Sequence, residues 1–323
     1  MAVIQTFPKN LCHLLKVLGV KKILSVTKRV GLLAKKSIEY SKLSEKDLFC
    51  VSFETKNWGD WLNKWLIEKI TGKKVVVAHI NHLNICKFLG LLKSERPVFT
   101  AIGSIMHYVP DDAFVWGTGC VYHTMTAQIK PSKILSVRGP LSARVMKDNG
   151  FGKSFLYGDP ALLISKFLHE FPDERKNYAV GVIPHHSECL YPAVRQLSKL
   201  DDVLIIDIES SQEKLVSDIK KCDYIFSSSL HGLILSDVLR VPNKWVRFRA
   251  DFPGDGFKFN DYYASLCGLE RHKETHPILV DVEDVGSGIL KKIKLQSTVH
   301  ESNIDLADVE GVFIDHLKTK GWL

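Results

Sequence analysis

Ser227-Ser228-Ser229-Leu230-His231-Gly232 joins an apolar run, Asp223 to Phe226, to a second one, Leu233 to Leu239. Strand, short polar turn and helix in that order set an imidazole and several hydroxyls at a helix N-terminus, where free N–H groups and the helix dipole favour an anion. That is a place for phosphate or carboxylate chemistry. Read alone, the same residues also suit a plain cap on a helix starting near Gly232, with His231 packed as an ordinary polar side chain. Arg138-Gly139-Pro140-Leu141-Ser142 offers a cation in a similar setting, because a strand ends at Val137 and Pro140 suits a first helical turn. A guanidinium at that sheet edge can grip a carboxylate or phosphate bidentately, or pair with a nearby acid. Asp60 and Asp159 follow other strands and could deprotonate or orient hydroxyls, while Asp60 serves equally as the first-turn acid of its helix. Gly103-Ser104 and Gly117-Thr118-Gly119 each follow an apolar run, as glycine does where backbone must approach a ligand. Neither is a dinucleotide fingerprint or a Walker sequence. The pairs His185-His186 and His79/His82 have no acid or cysteine to complete a metal set and read as ordinary surface histidines, so no metal is expected.

The elements that must hold these residues alternate. Apolar runs at Asp47 to Phe53, Val75 to Ala78, Val98 to Ile102, Ala113 to Trp116 and Ile134 to Val137 are separated by turns and helical pieces. One of these begins at Gly59-Asp60-Trp61 and ends near Gly72. The aromatics of that helix share the spacing of Leu62 and Leu66 and read as core. A polar, proline-containing stretch, Lys166 to Lys176, reads as an interdomain linker. A second alternation follows: strand Tyr178 to Ile183, helix Tyr191 to Leu200, strand Val203 to Ile206, helix Gln212 to Lys221, strand Asp223 to Phe226, then the helix after His231. Leu279 to Leu295 and the periodic Val309, Phe313, Ile314 and Leu317 read as closing helices. The pattern is α/β, two Rossmann-like domains facing a central cleft, with residues 1–46 as an arm, 47–170 as the acceptor-side domain, 177–295 as the donor-side domain and 296–323 as a closing helix.

With 323 residues, 45% of them hydrophobic and 25% charged, the chain has the composition of a soluble globular protein with two cores. No run is long and apolar enough to span a membrane, and Met1 to Pro8 makes a poor signal peptide, so a cytoplasmic protein is expected. Seven scattered cysteines without a C-x-x-C pair indicate reduced thiols. The net charge of +8 is confined to residues 1–46, which hold ten basic and two acidic residues; the remainder balances at 34 of each, which argues against a nucleic-acid partner. Within the arm Lys21-Lys22, Lys28-Arg29 and Lys35-Lys36 recur every seven residues and share one helical face, and Leu11, Leu14, Leu15 and Leu18 recur at helical spacing. Such a basic amphipathic helix can rest on an anionic surface, here the inner face of the cell membrane, or pack on the protein body.

Five segments in order, Asn57-Trp58-Gly59-Asp60, Val137 to Ser142, Gly158-Asp159-Pro160-Ala161-Leu162-Leu163, Ser228 to Gly232 and Lys258-Phe259-Asn260-Asp261-Tyr262-Tyr263, resemble the polysaccharide pyruvyl transferase family across residues 47 to 270. The resemblance implies a glycosyltransferase-B-like fold and transfer of pyruvate from phosphoenolpyruvate to two sugar hydroxyls, forming a ketal and releasing phosphate without a cofactor. It implies that Arg138 and the Leu230-His231 turn hold the donor in the cleft, and the residues expected to carry the chemistry are His231, Arg138, Asp159 and Asp60. Asn57, Gly59, Gly103, Ser104, Gly117, Ser228, Ser229, Leu230, Gly232 and Lys258 are then expected to line the substrates. Histidine suits the proton transfers to C3 of the donor and from the hydroxyls. Many relatives carry Arg just before Leu-His where this chain has Ser229, so more of the donor's charge falls to Arg138, Lys258 and helix N-termini. The acceptor implied is a sugar of a surface polysaccharide or its lipid-linked precursor. A nucleotide-sugar glycosyltransferase and a non-catalytic scaffold of a polysaccharide-assembly complex are the alternatives.

Overall fold

The computed structural model describes residues 47–52, 58–79, 97–125, 129–152, 154–251, 253–285 and 288–323. The basic arm, Asn57 and His82 lie outside the described residues. The first six strands are β1 (Leu48–Ser52), β2 (Val75–His79), β3 (Val98–Thr100), β4 (Phe114–Trp116), β5 (Lys133–Val137) and β6 (Leu156–Tyr157). They form one parallel sheet in the order β2-β1-β3-β4-β5-β6. β1, β3 and β4 are buried along their whole length, as strands of a sheet covered on both faces must be. The second sheet is parallel too, with β7 (Tyr178–Ile183), β8 (Val203–Ile205), β9 (Cys222–Ser227), β10 (Asn243–Arg247) and β11 (Ile278–Leu279) in the order β11-β10-β9-β7-β8. The two-sheet α/β reading therefore holds.

In the second sheet the chain leaves β7 toward β8 on one side and returns to β9 on the other. The strand order reverses between β7 and β9, and the loops after these two strands flank a crevice of the kind in which open α/β sheets bind ligands. The same reversal occurs between β1 and β3 in the first sheet.

Helix α1 (Trp58–Thr71) buries Leu62, Leu66 and Ile67 and leaves Trp61 56% exposed. Its Asn63 exchanges two hydrogen bonds with the backbone of Ile102, at 3.0 and 2.8 Å, and so fixes the turn after β3. Helix α2 (Pro140–Asp148) starts on Pro140. The run Pro160–Glu170 is helical in tight turns, so Lys166 to Glu170 does not begin a linker: Leu162 and Leu163 are core, and Phe167 meets Trp65 edge-on at 5.6 Å. Phe171 is buried as well, and the polar crossing follows it.

In the second half α3 (Pro192–Leu197) is shorter than its apolar period suggests, and α4 (Gln212–Lys220) is capped by the Ser211 hydroxyl. α5 (Leu230–Val238), α6 (Phe257–Cys267) and α7 (Ile289–Leu295) follow. The last helix, α8 (Leu306–Thr319), returns to the first sheet, where Phe313 stacks on Trp116 at 4.0 Å and Trp116 Nε1 donates to Val309 O at 2.7 Å. Among the described residues no helix is long and apolar enough to cross a membrane.

Candidate active site

α5 begins at Leu230, two residues before Gly232, because Gly232 is needed inside the helix: a Cβ there would lie 2.5 Å from Ser227 Oγ and 3.1 Å from the Ile183 side chain. Ser229 takes the cap position without a side-chain cap bond. The cap work is done one step earlier, where Ser227 Oγ accepts from Ser229 N at 3.0 Å and donates to Ser229 O at 2.8 Å. Ser228 Oγ accepts from His185 N at 2.8 Å and ties the β9 turn to the β7 turn across the crevice. These serines are buried and brace the turn that carries His231 into the first turn of α5.

His231 is only 9% exposed. Burial, then the charges of Lys258 and Arg138, push its pKa down to about 3, so the imidazole is neutral throughout the physiological range. His185 is likewise held at about 3 by burial and by Lys258, His186, Arg249 and His231. Its ring faces His186 at 4.1 Å and its Nδ1 lies 2.8 Å from Ser187 Oγ. Lys258, half-buried in the first turn of α6, has its ammonium 5.2 Å from the Phe259 ring centroid. Burial and Arg138 lower its pKa to about 8, against a pull upward from Glu188. Two neutral imidazoles and a cation thus share one crevice.

Arg138 departs from the open guanidinium expected at the edge of the first sheet. It is wholly buried, its Nε donating to Asp261 Oδ2 at 3.0 Å, its Nη2 to Cys120 O at 2.7 Å and its Nη1 to Ser104 Oγ at 2.5 Å. The ion pair joins the two halves of the chain, since Asp261 stands on α6. Asp261 also accepts from Ser142 N at 2.9 Å and Ser142 Oγ at 2.6 Å. The guanidinium lies flat over Gly119, where a Cβ would come within 2.3 Å of Arg138 Cζ. Ser104, which accepts from Arg138, is half-buried.

Asp159 is also internal: Oδ1 accepts from Ala161 N at 3.0 Å as the cap of Pro160–Glu170, and the fully buried Oδ2 has no hydrogen-bond partner among the described residues. Burial raises its pKa to about 6. This places it behind Arg138 as a buried neighbour, so direct contact with a sugar hydroxyl is not what its position provides. Gly103 and Gly117 turn the chain at φ 134° and 81°: Thr118 Oγ1 donates to Gly103 O at 2.8 Å, and a Cβ on Gly117 would meet Pro160 at 2.3 Å, whereas one on Gly103 would come no nearer than 3.7 Å to Ile105. Gly117 is packed against protein, and Gly103 shapes its loop. Gly59 and Asp60 are placed by their backbone in the first turn of α1. His79 ends β2 in the first sheet, away from the His185-His186 pair.

Asp261 was legible only as part of a motif, His185 was read with His186 as a surface histidine, and Glu188 carried no signal in the sequence. Glu188 is 0% exposed and its Oε1 accepts from Phe248 N at 3.2 Å. Among the described residues no group of three or more His, Cys, Asp or Glu could hold a metal ion. Cys120 and Cys222 are pushed up to about 12 by burial, which keeps both as inert thiols.

Residues 121–246 match the family model described as polysaccharide pyruvyl transferase. The chain is 32% identical over 222 residues to the uncharacterized protein L143 of Acanthamoeba polyphaga mimivirus, covering 67% of this chain and 72% of that one. It is 31% identical over 179 residues to the succinoglycan biosynthesis protein ExoV of Rhizobium meliloti (strain 1021), covering 54% of each. Among solved structures it is similar to the wall teichoic acid polymerase TagF, H444N variant, at 11% identity and a TM-score of 0.43 over 94% of this chain and 97% of that one. The UDP-GlcNAc 2-epimerase of Methanocaldococcus jannaschii gives 9% identity and a TM-score of 0.42 over 84% and 99%.

Proposed function

The chain belongs to the polysaccharide pyruvyl transferase family, and from that premise we propose that it transfers pyruvate from phosphoenolpyruvate to two hydroxyls of a sugar, in a surface polysaccharide or its lipid-linked precursor. The observation that supports this reading is the crossover between β7 and β9, where His185 and His231 follow adjacent strands and both feel the charge of Lys258, His231 lying in the first turn of α5. A carboxylate and a phosphate are what such a set of donors attracts.

The chemistry needs two proton movements. As one sugar hydroxyl adds at C2 its proton passes to C3, which becomes a methyl group; phosphate then leaves C2, and the second hydroxyl closes the ketal. Of the two hydroxyl protons released, one balances the proton taken by C3 and the other leaves with phosphate. A neutral imidazole can accept a proton from the incoming hydroxyl and return it to carbon. In this reading His231 does so, Lys258 and the first-turn N–H groups of α5 hold the anionic groups, and the Arg138 charge acts from behind Ser104. Asp60 remains the candidate to orient the acceptor, and the residue 1–46 arm to rest on an anionic membrane surface. No cofactor enters the scheme.

The test is incubation with phosphoenolpyruvate and a panel of acceptor oligosaccharides, with detection of a pyruvyl mass increment and acceptor-dependent phosphate release. His231→Ala is expected to abolish both. Thermal stabilisation by UDP or GDP with none by phosphoenolpyruvate would overturn the reading in favour of a nucleotide-sugar transferase. Binding to anionic liposomes that survives deletion of residues 1–46 would remove the arm from it.

A further inference from the structure

The last turn of α5 holds a second cluster of polar side chains. Asp237 is buried there, six residues beyond His231 and so about 9 Å along the helix axis. Its Oδ1 accepts from Asn243 Nδ2 at 2.7 Å, from His300 N at 2.9 Å and from His300 Nδ1 at 3.1 Å, and its Oδ2 accepts from the Tyr262 hydroxyl at 2.9 Å. A carboxylate has about four lone-pair sites, so Asp237 is fully engaged. The same contact fixes the tautomer of the neutral His300 ring. Nδ1 carries the proton, and Nε2, which has no hydrogen-bond partner among the described residues, presents a lone pair. The ring is held from its other side by Tyr263, with centroids 4.7 Å apart.

His300 lines a cavity of about 250 Å³ at the end of α5 away from His231. Its walls come from three parts of the chain: Leu162 and Ser165 on Pro160–Glu170, the helices α5 and α6, and the segment from His300 to Leu306 that leads into α8. Ser165 is half-buried, and its hydroxyl has no hydrogen-bond partner among the described residues. Ser302 Oγ accepts from Ile304 N at 3.2 Å and keeps its own proton to donate. At the rim, Arg240 follows α5 at φ 60°, a left-handed conformation that glycine usually supplies after a helix. Its Nη2 donates to Glu301 Oε1 at 2.6 Å, and both side chains of this pair are exposed.

The lining selects the class of ligand. Arg240 is matched by Glu301, so an anion would meet the Asp237 and Glu301 carboxylates with no free cation to offset them. A cation would find the lone pairs of Asp237 already taken. What the walls can take is a neutral ligand with hydroxyls for His300 Nε2, Ser165 and Ser302 and with C–H groups for Leu162, Ile304 and Leu306. Clefts for drug-sized molecules begin at about 300 Å³, so this one has room for a single ring and not for a chain or a nucleotide. We propose that the cavity is a binding site for one neutral pyranose ring, its hydroxyls turned to His300 Nε2 and Ser165, separate from the crevice that holds His231. The proposal rests on this lining alone and is independent of the phosphoenolpyruvate reading.

The test follows the His300 imidazole by heteronuclear NMR of the full chain labelled at histidine. Its signals are identified by their loss in His300→Asn, which keeps a donor where Nδ1 stands and removes Nε2. The probes are the methyl pyranosides of glucose, galactose and mannose at millimolar concentration, with inorganic phosphate as the charged control. At least one pyranoside is expected to shift the His300 signals saturably, and phosphate to leave them in place. Ser165→Phe and Val238→Phe fill the cavity from two walls, and each is expected to weaken that titration at least about tenfold in protein that still melts cooperatively. An oligosaccharide that shifts the same signals identifies the ligand as the terminal ring of a chain, and a pyranoside that acts alone identifies a free sugar. No shift from any pyranoside, an equal shift from phosphate, or an unchanged titration in a folded filled variant would overturn the proposal. The readout needs no donor, so a protein that binds no phosphoenolpyruvate would overturn the donor reading and leave this one standing.

Discussion

Replacing Asp261 by Ala isolates the junction between the two halves. Both members of the Arg138–Asp261 pair are 0% exposed and 3.0 Å apart, so the variant leaves a guanidinium inside the protein with only the Cys120 carbonyl and the Ser104 hydroxyl as partners. Removing one partner of a buried pair costs about 3–5 kcal/mol, because the remaining charge is uncompensated. The Ser142 N–H and hydroxyl lose their acceptor at the same time. Set against a total stability of about 5–15 kcal/mol, this is a large share. At roughly 2–4 °C per kcal/mol for units of this size, it corresponds to a fall in melting temperature of about 6–20 °C. Urea unfolding gives the loss directly from the shift in midpoint at constant slope. The double variant Arg138→Met/Asp261→Leu should recover most of the loss, since well-packed apolar residues can replace a buried pair without penalty. A loss below about 1 kcal/mol in Asp261→Ala, the range of solvent-exposed pairs, would refute the buried junction.

The pH dependence of kcat/KM should lack a limb near the ordinary histidine value, because His185 and His231 are both held near 3, and should fall above about pH 8 as Lys258 loses its proton; steady-state kinetics from pH 5 to 9 checks both. Asp159 has a folded pKa of about 6 against an ordinary 3.8, so its contribution to stability is complete below about pH 4 and is lost as pH rises through 6. Asp159→Asn should therefore match wild type at pH 4 and exceed it at pH 7.5 by up to on the order of 3 kcal/mol, measured by denaturant titration at the two pH values. Gly119→Ala puts a methyl group 2.3 Å from Arg138 Cζ, against a guanidinium held by three hydrogen bonds, and is expected to lose about 1–3 kcal/mol of stability by thermal melting together with a larger share of activity.

The strands were legible because their apolar runs are short, β-branched and bounded by turns; Tyr178–Ile183 is recovered to the residue. Other elements were set by tertiary contacts. Gly232 weakens a helix by local propensity, yet it lies inside α5 because close packing on Ser227 and Ile183 demands no side chain there. Lys166 to Glu170 has a polar linker's composition, but Leu162, Leu163 and Phe167 bury one side of it. Arg138 was visible as a cation at a sheet edge, whereas its partner lies 123 positions away, and a single sequence carries no signal for that pairing. Glu188 was invisible for a related reason: glutamate is almost always exposed, and only its place between the loops after β7 and β10 makes this one internal.

α6 carries Lys258 at the crevice, Asp261 against Arg138 and Tyr262, whose hydroxyl donates to Asp237 at 2.9 Å. α8 meanwhile closes on the sheet that β1 began. For recombination between relatives, this means that the crossing after Phe171 is not a clean cut. A chimera joined there would inherit mismatched partners at Arg138–Asp261 and Trp116–Phe313 at once. An exchange of segments should instead keep α6 and α8 on one chain with Arg138 and Trp116, the residues they pack against.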